Sequence, residues 1–165
     1  MVAKPKLENR KEQPYAAIRT AVPIPFGQYL QPLWNEVNDW LKSQGIASPG
    51  PAIIRYLTSD MSKKLDIDVG FVVDNHVTGN NRIIAGVLPA GQYATLLYTG
   101  PYKGNGIFET NVAMMDWAKD NGVVWNTITK NGVEWWNGRV EWYLTDPARE
   151  PDMKKYQTEL AFLVK

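Results

Sequence analysis

The chain has 165 residues, with 18 Lys and Arg against 17 Asp and Glu, a formal net charge of +1 and no cysteine. That length suits one domain or two very small ones, since single cores usually run to ~100 to 200 residues. Balanced charge with no basic run longer than two residues excludes a surface that tracks duplex phosphates and a polybasic membrane patch, and the lack of thiols excludes disulfides, thiolate metal sites and thiol nucleophiles.

The start, Met1 to Glu12, has no apolar core of a signal peptide, and no later run reaches the roughly 18 apolar residues of a membrane span. A cytoplasmic location is expected. A strand is expected over Gln13-Pro14-Tyr15-Ala16-Ala17-Ile18-Arg19-Thr20. The first helix follows from period: Phe26, Leu30, Leu33, Trp34, Val37, Trp40 and Leu41 share one face, opened by Pro25 and closed by Gly45. The Ser48-Pro49-Gly50-Pro51 stretch is a loop. In the next strands Leu65, Ile67, Val69 and Phe71 share one face, and Asp66 and Asp68 share the other. Asp66 and Asp68 are read as solvated acids that keep a sheet edge soluble.

The single histidine, His76, falls in the loop Asp74 to Asn81, so any Ser-His-Asp triad or histidine zinc site would have to use it alone. Asp66-Ile67-Asp68-Val69-Gly70 lacks the ligand spacing of a calcium loop. Neither a metal nor a cofactor is expected. The glycine-rich Gly100 to Gly106 segment is no phosphate-binding loop, because no Lys-Ser or Lys-Thr ends it.

The order strand, helix, strand, strand then recurs. Tyr15-Ala16 is echoed by Tyr93-Ala94, Asp39-Trp40-Leu41-Lys42 by Asp116-Trp117-Ala118-Lys119, and Arg55-Tyr56-Leu57-Thr58 by Trp142-Tyr143-Leu144-Thr145. Both helices end in a glycine suited to a left-handed cap, Gly45 and Gly122. The second helix keeps the apolar face of the first but sets Thr110 and Asn111 where Leu33 and Trp34 stood. Either its start is less buried or the two line a polar cavity. The economical assembly is a single α+β domain, residues 1–165, built of two modules (about 12–75 and 86–165). They would form an antiparallel sheet with two helices on one face and a ligand groove on the other.

On the face opposite the helices, alternation is expected to set Glu141, Tyr143, Tyr56, Asp66, Asp68 and Glu159, with Trp135, Trp136 and Tyr102 in adjacent segments. Seven Trp, eight Tyr and four Phe are more rings than the helices require. Glu141 lies in Trp135-Trp136-Asn137-Gly138-Arg139-Val140-Glu141-Trp142-Tyr143. A carboxylate among aromatic faces suits a flat or lipophilic cation, which the charge and the ring quadrupoles attract together. The alternative is a plain salt bridge from Arg139 on the same face. Both readings stand on the sequence alone.

Three runs carry a resemblance: Val87 to Tyr102 (VLPAGQYATLLYTGPY), Glu141 to Pro147 (EWYLTDP) and Thr158 to Phe162 (TELAF). They resemble the GyrI-like small-molecule-binding domain family, which is related to effector-binding domains of multidrug-responsive transcription activators, and the likeness spans about residues 5–165. The resemblance implies a groove for lipophilic, aromatic or cationic compounds. Glu141 of the Glu-x-Tyr motif would meet the positive charge, and Tyr143, Tyr56, Tyr102 and Trp136 would form the walls. It also implies two alternatives. One is hydrolysis of cyclopropane-type electrophiles by Glu141 with Tyr143 or Tyr102. The other is a gyrase-inhibitor-like interaction with a protein such as DNA gyrase. A strand by about Gln13 leaves no room for a preceding DNA-binding helical domain, so a free-standing module without direct nucleic-acid contact is expected.

Overall fold

The computed structural model describes residues 2–60 and 62–165. In chain order the strands and helices are β1 (Lys6–Arg10), β2 (Gln13–Val22), α1 (Gly27–Ser43), β3 (Ala52–Tyr56), β4 (Leu65–Val72), β5 (Ile84–Leu88) and β6 (Gly91–Thr99). They continue with α2 (Gly106–Asp120), β7 (Thr127–Lys130), β8 (Val133–Trp136), β9 (Arg139–Tyr143) and β10 (Gln157–Leu163).

Eight strands form one sheet in the order β1-β6-β10-β9-β3-β4-β2-β5, every pairing antiparallel. The expected α+β architecture with two helices and strand-helix-strand-strand modules is what the chain adopts. The modules β2-α1-β3-β4 and β6-α2-β9-β10 meet where β3 pairs with β9. Each module is also tied to the other at its rim, because β1 pairs with β6 and β5 pairs with β2. The small β7–β8 hairpin occurs in the second module.

Both helices stop by the same local chemistry. Past α1, Gly45 takes a φ of +83°, its N–H donates to Lys42 and the N–H of Ile46 donates to Leu41. Past α2, Gly122 takes a φ of +67° and the N–H of Val123 donates to Ala118. These left-handed caps satisfy carbonyls that the helix leaves open, and glycine adopts that backbone without a Cβ penalty. Val37 and Leu41 of α1 and Met114 and Ala118 of α2 are buried at the sheet.

Both faces of the sheet are packed. On the helix side, Phe26, Leu30 and Trp34 cover Ile54, Leu65, Ile67 and Val69, while Met114 and Trp117 cover Ala94, Leu96, Leu160 and Phe162. On the side without helices, Tyr15, Ala17, Ile53 and Val140 form a second core with Trp142, which also packs on Tyr93, Ala161 and Leu163. Asp68 belongs to this second side and is wholly buried rather than solvated as expected. Its strand neighbour explains why: β4 sets Asp68 directly across from Arg19 on β2. Its carboxylate accepts from Arg19 Nε at 2.8 Å and from Tyr15 Oη at 2.6 Å. Arg55 then donates to the same Tyr15 hydroxyl at 2.9 Å. A buried carboxylate persists only when paired and hydrogen-bonded in this way.

Burial and the neighbouring Asp68 charge push the Tyr15 hydroxyl up to about 12. Burial, reinforced by Glu141, raises Tyr56 and Tyr143 well above the usual phenol range. A phenol whose folded pKa exceeds its unfolded value of ~10 contributes stability that is complete below pH ~10 and is lost as pH rises through the folded value. In an alkaline titration followed at 295 nm, Tyr15, Tyr56 and Tyr143 are expected to stay silent near pH ~10 and to ionise only as the fold is lost. Simultaneous ionisation of all eight tyrosines near that pH would contradict the assignment.

Candidate functional site

Glu141 occupies the middle of β9, at the seam between the modules. Ile54 of β3 lies across from it on one side and Leu160 of β10 on the other. It is 4% exposed. Alternation along β9 turns Arg139, Glu141 and Tyr143 to one face, and the partners of that face, Ile54, Leu160 and Phe162, belong to the helix-side cores. Glu141, Tyr143 and Tyr56 therefore lie between the two helices rather than on the helix-free face, where the sequence had set them with Asp68 and Glu159. The three residues share one face as alternation predicts, but that face is the one the helices cover. The inversion arises because Val140 and Trp142, the apolar side of β9, pack into the second core beneath the sheet and leave the polar side to the helices.

Three neutral donors converge on the Glu141 carboxylate. Tyr143 Oη donates to Oε1 at 2.7 Å, Tyr56 Oη donates to the same oxygen at 3.0 Å, and Asn111 Nδ2 donates to Oε2 at 3.0 Å. The two tyrosines come from β9 and β3, one from each module, and Asn111 descends from α2. Because burial and the Glu141 charge raise both phenols, they remain protonated donors throughout the neutral range.

Aromatic rings enclose this cluster. Trp34 of α1 meets the Tyr143 ring edge-on at 5.2 Å, Tyr102 meets its other side at 5.2 Å, and Phe26 sits 6.2 Å from Tyr56. Edge-to-face pairs at such separations are favourable. Tyr102 is thus a wall of the cluster, reached through Tyr143, and its hydroxyl is committed elsewhere. It donates to the Thr145 carbonyl at 2.6 Å and accepts from the Thr145 N–H at 2.9 Å.

Trp136 does not touch Glu141 in this arrangement. It is buried against Trp125 and Phe162, and its indole N–H donates to Ser59 Oγ at 2.9 Å. Its link to the site is Arg139, whose guanidinium lies 4.5 Å from the Trp136 ring centroid and 4.5 Å from that of Phe162. The Arg139–Glu141 salt bridge weighed from sequence is not formed; instead Arg139 Nη2 donates to Asn111 Oδ1 at 3.2 Å. Burial lowers the Arg139 pKa, opposed by the nearby Tyr56 and Glu141.

Sequence reasoning missed Asn111 and Trp34 as parts of one site, although the signal was present. Trp34 and Asn111 occupy corresponding positions of the two repeated helices, and Asn111, with Thr110, breaks the apolar face, which suggested a polar cavity without linking it to Glu141. Two cavities lie away from the cluster. One of about 250 Å³ is on the helix-free side, bounded by Arg10, Gln13, Leu88, Tyr93, Trp142 and Ala161. The other, about 190 Å³, lies by Ile46, Pro49, Val73 and His76. Among the described residues no three His, Asp or Glu side chains converge as metal ligands, and none of the helices is long and apolar enough to cross a membrane. Asn111 is the bridge on which both charged groups depend. Asn111→Leu strips a partner from each, so it is expected to lower unfolding free energy by ~1 to 3 kcal/mol, seen as a lower urea midpoint at unchanged slope. An unchanged midpoint would show that the bridge has no part in stability.

Comparison with known proteins gives this arrangement a family context. The chain superposes on EcmrR in a complex with DNA at a TM-score of 0.74 and 21% identity, covering 98% of this chain and 57% of that one. It thus spans little more than half of that protein's length. Against the C-terminal domain of EcmrR alone the TM-score is 0.70 at 19% identity, with 98% and 97% of the two chains covered. A hydrolase from Listeria innocua matches at 0.60 and 14% identity, over 98% of this chain and 92% of that one. SAV2435 bound to tetraphenylphosphonium matches at 0.62 and 12% identity, over 99% and 94%. At these identities the likeness is one of fold. No curated protein matches the chain by sequence. The model of the GyrI-like small molecule binding domain matches residues 3–165, nearly the whole chain, and the protein with this seam of tyrosines and a buried glutamate belongs to that family.

Proposed function

We propose that the protein binds lipophilic compounds, aromatic and above all cationic ones, between α1 and α2, with Glu141 as the charge-matching group and Tyr56, Tyr143, Tyr102 and Trp34 as walls. The observation that carries this reading is the state of Glu141. It is 4% exposed, accepts only from neutral donors, and has no cation within salt-bridge distance among the described residues. A buried carboxylate without a paired charge is costly, and an arriving cation supplies the missing partner while the rings take up its apolar surface. SAV2435, which shares the fold, is a protein bound to a lipophilic phosphonium cation.

The Tyr143 ring is in edge-on contact with both Trp34 and Tyr102, so a ligand that reaches the Glu141 carboxylate between them requires these rings to part. Trp34 of α1 and Phe26, which caps it, pack on Tyr143 and Tyr56, so an outward displacement of these two rings would uncover the phenols that hold Glu141. Such a rearrangement is driven by ligand contacts that exist only in the open state.

A second reading is hydrolysis, favoured by the pair of phenols on one carboxylate oxygen and by the fold shared with a hydrolase. Glu141 would take a proton from water as the water oxygen bonds to a cyclopropane carbon and the strained ring C–C bond breaks. Tyr143 or Tyr56 would protonate the carbon released from that bond, and the proton on Glu141 would return to the phenolate it is hydrogen-bonded to. Tyr102 is excluded from that role by its hydroxyl's bonds to Thr145. Turnover would appear by mass spectrometry as gain of one water by a cyclopropane-bearing substrate, and would be lost in Glu141→Gln.

Tryptophan fluorescence titration tests the main reading, because Trp34 reports directly on the site. Tetraphenylphosphonium and phenyltrimethylammonium are expected to bind the wild type. They should bind Glu141→Gln at least ~tenfold more weakly, the equivalent of ~1.4 kcal/mol. The neutral isostere tert-butylbenzene should bind both proteins alike. Equal loss of cation and neutral compound would contradict a charge-matching role.

A further inference from the structure

Arg139 presents an unusual arrangement for a site proposed to take cations. It shares the face of β9 with Glu141, two residues away, and lies across from Phe162 of β10. Rings fix its guanidinium, with Trp136 and Phe162 each 4.5 Å from it and Tyr56 at 5.9 Å. Among the described residues no carboxylate reaches it within salt-bridge distance, and its Nε is buried without a hydrogen-bond partner. An arginine free to choose would pair with Glu141 directly, because a bidentate ion pair satisfies both groups.

Asn111 prevents that collapse. Its Oδ1 accepts from Arg139 at 3.2 Å while its Nδ2 donates to Glu141 at 3.0 Å, and its Nδ2 also donates to the Ile107 carbonyl at 3.0 Å. The two bonds fix which end of the amide faces which charge, since the reversed amide would face donors to Arg139 and its oxygen to Glu141. The site therefore holds one negative and one positive group side by side, kept apart by a neutral bridge. In an interior of low effective dielectric, two charges joined through a single amide interact electrostatically without forming an ion pair. A ligand cation at Glu141 is attracted by the carboxylate and repelled by the guanidinium.

We propose that Arg139, held off Glu141 by Asn111, is the specificity-determining residue that limits how strongly the pocket prefers cations over neutral isosteres. This inference rests on the binding reading above. Arg139 acts through its charge, not by contact with the ligand: its faces are occupied by Trp136 and Phe162 and its Nε is out of reach of solvent. The consequence is a site that accepts neutral or dipolar lipophiles alongside cations. A carboxylate in the same ring cage without the nearby guanidinium would favour permanent cations more strongly.

The test is the affinity ratio of phenyltrimethylammonium to tert-butylbenzene in wild type, Arg139→Gln and Arg139→Lys, with Arg139→Met in place of the glutamine variant if that does not fold. Folding of each variant is checked by thermal melting. Removing the charge is expected to raise the cation-to-neutral ratio by roughly tenfold, about one charge interaction at the ~1.4 kcal/mol per decade of affinity. Arg139→Lys, which keeps the charge, should retain a ratio near the wild-type one. Parallel weakening of both probes, or a lysine variant that behaves as the glutamine variant does, would reduce Arg139 to a packing role and overturn the inference. An unchanged ratio in Arg139→Gln with both probes still bound would overturn it alone. Failure of both probes to bind any of the proteins would overturn the binding reading and this inference together.

Discussion

The burial of one carboxylate at the seam of the sheet is the constraint around which the rest is arranged. Glu141 stands where β3 and β9 join the two modules, and each module contributes a tyrosine hydroxyl to the same oxygen. Charge in such a place is tolerated only when its lone pairs are satisfied, and the third donor comes from α2. The modules, the seam and the second helix thus share a single anchoring group. A displacement of any one of the three elements breaks a hydrogen bond to a buried charge, which couples the geometry of the site to the integrity of the fold.

The sheet separates two kinds of polar chemistry. Beneath it, Asp68 is closed off by ion pairing with Arg19 and by Tyr15, so its charge is spent within the fold. Glu159 on the same side pairs with Arg10 at 2.6 Å. Between the helices, Glu141 has hydrogen bonds but no ion pair, and its walls are rings. The contrast separates two acids whose charge is met by an ion pair from one whose charge is met by neutral donors alone. Composition cannot make that distinction, since all three acids belong to strands with the same alternation.

Much of the architecture was legible in the sequence. The three-and-four spacing of α1, its closing glycine and the echo of both in α2 follow from local rules that tertiary contacts reinforce. The strand alternation of β4, β9 and β10 was also readable residue by residue. What could not be read was the direction in which the polar face of β9 points. Period two states which residues share a face; it does not state which face the helices cover, and a sheet with cores on both sides removes the usual cue. The motif singles out Glu141 and Tyr143 and the repeat singles out Tyr56, and the structure brings the three side chains together through hydrogen bonds. Trp136 was misplaced because sequence adjacency to Glu141 spans the turn from β8 into β9, which carries its ring over Phe162 instead. Asn111 was visible, with Thr110, as a polar break in an apolar helix face that could mark a less buried start or a polar cavity, and its partner Glu141 emerges only once the helix is seen to deliver its amide to the carboxylate.

The most direct measurement is a crystal structure of the protein with tetraphenylphosphonium bound. The account predicts the cation between α1 and α2, its phosphorus roughly 4–6 Å from a Glu141 carboxylate oxygen, with the Trp34 ring moved away from Tyr143. Electron density for the cation in the cavity beneath Trp142 and Tyr93 on the helix-free side, with the Glu141 cluster unaltered, would contradict it.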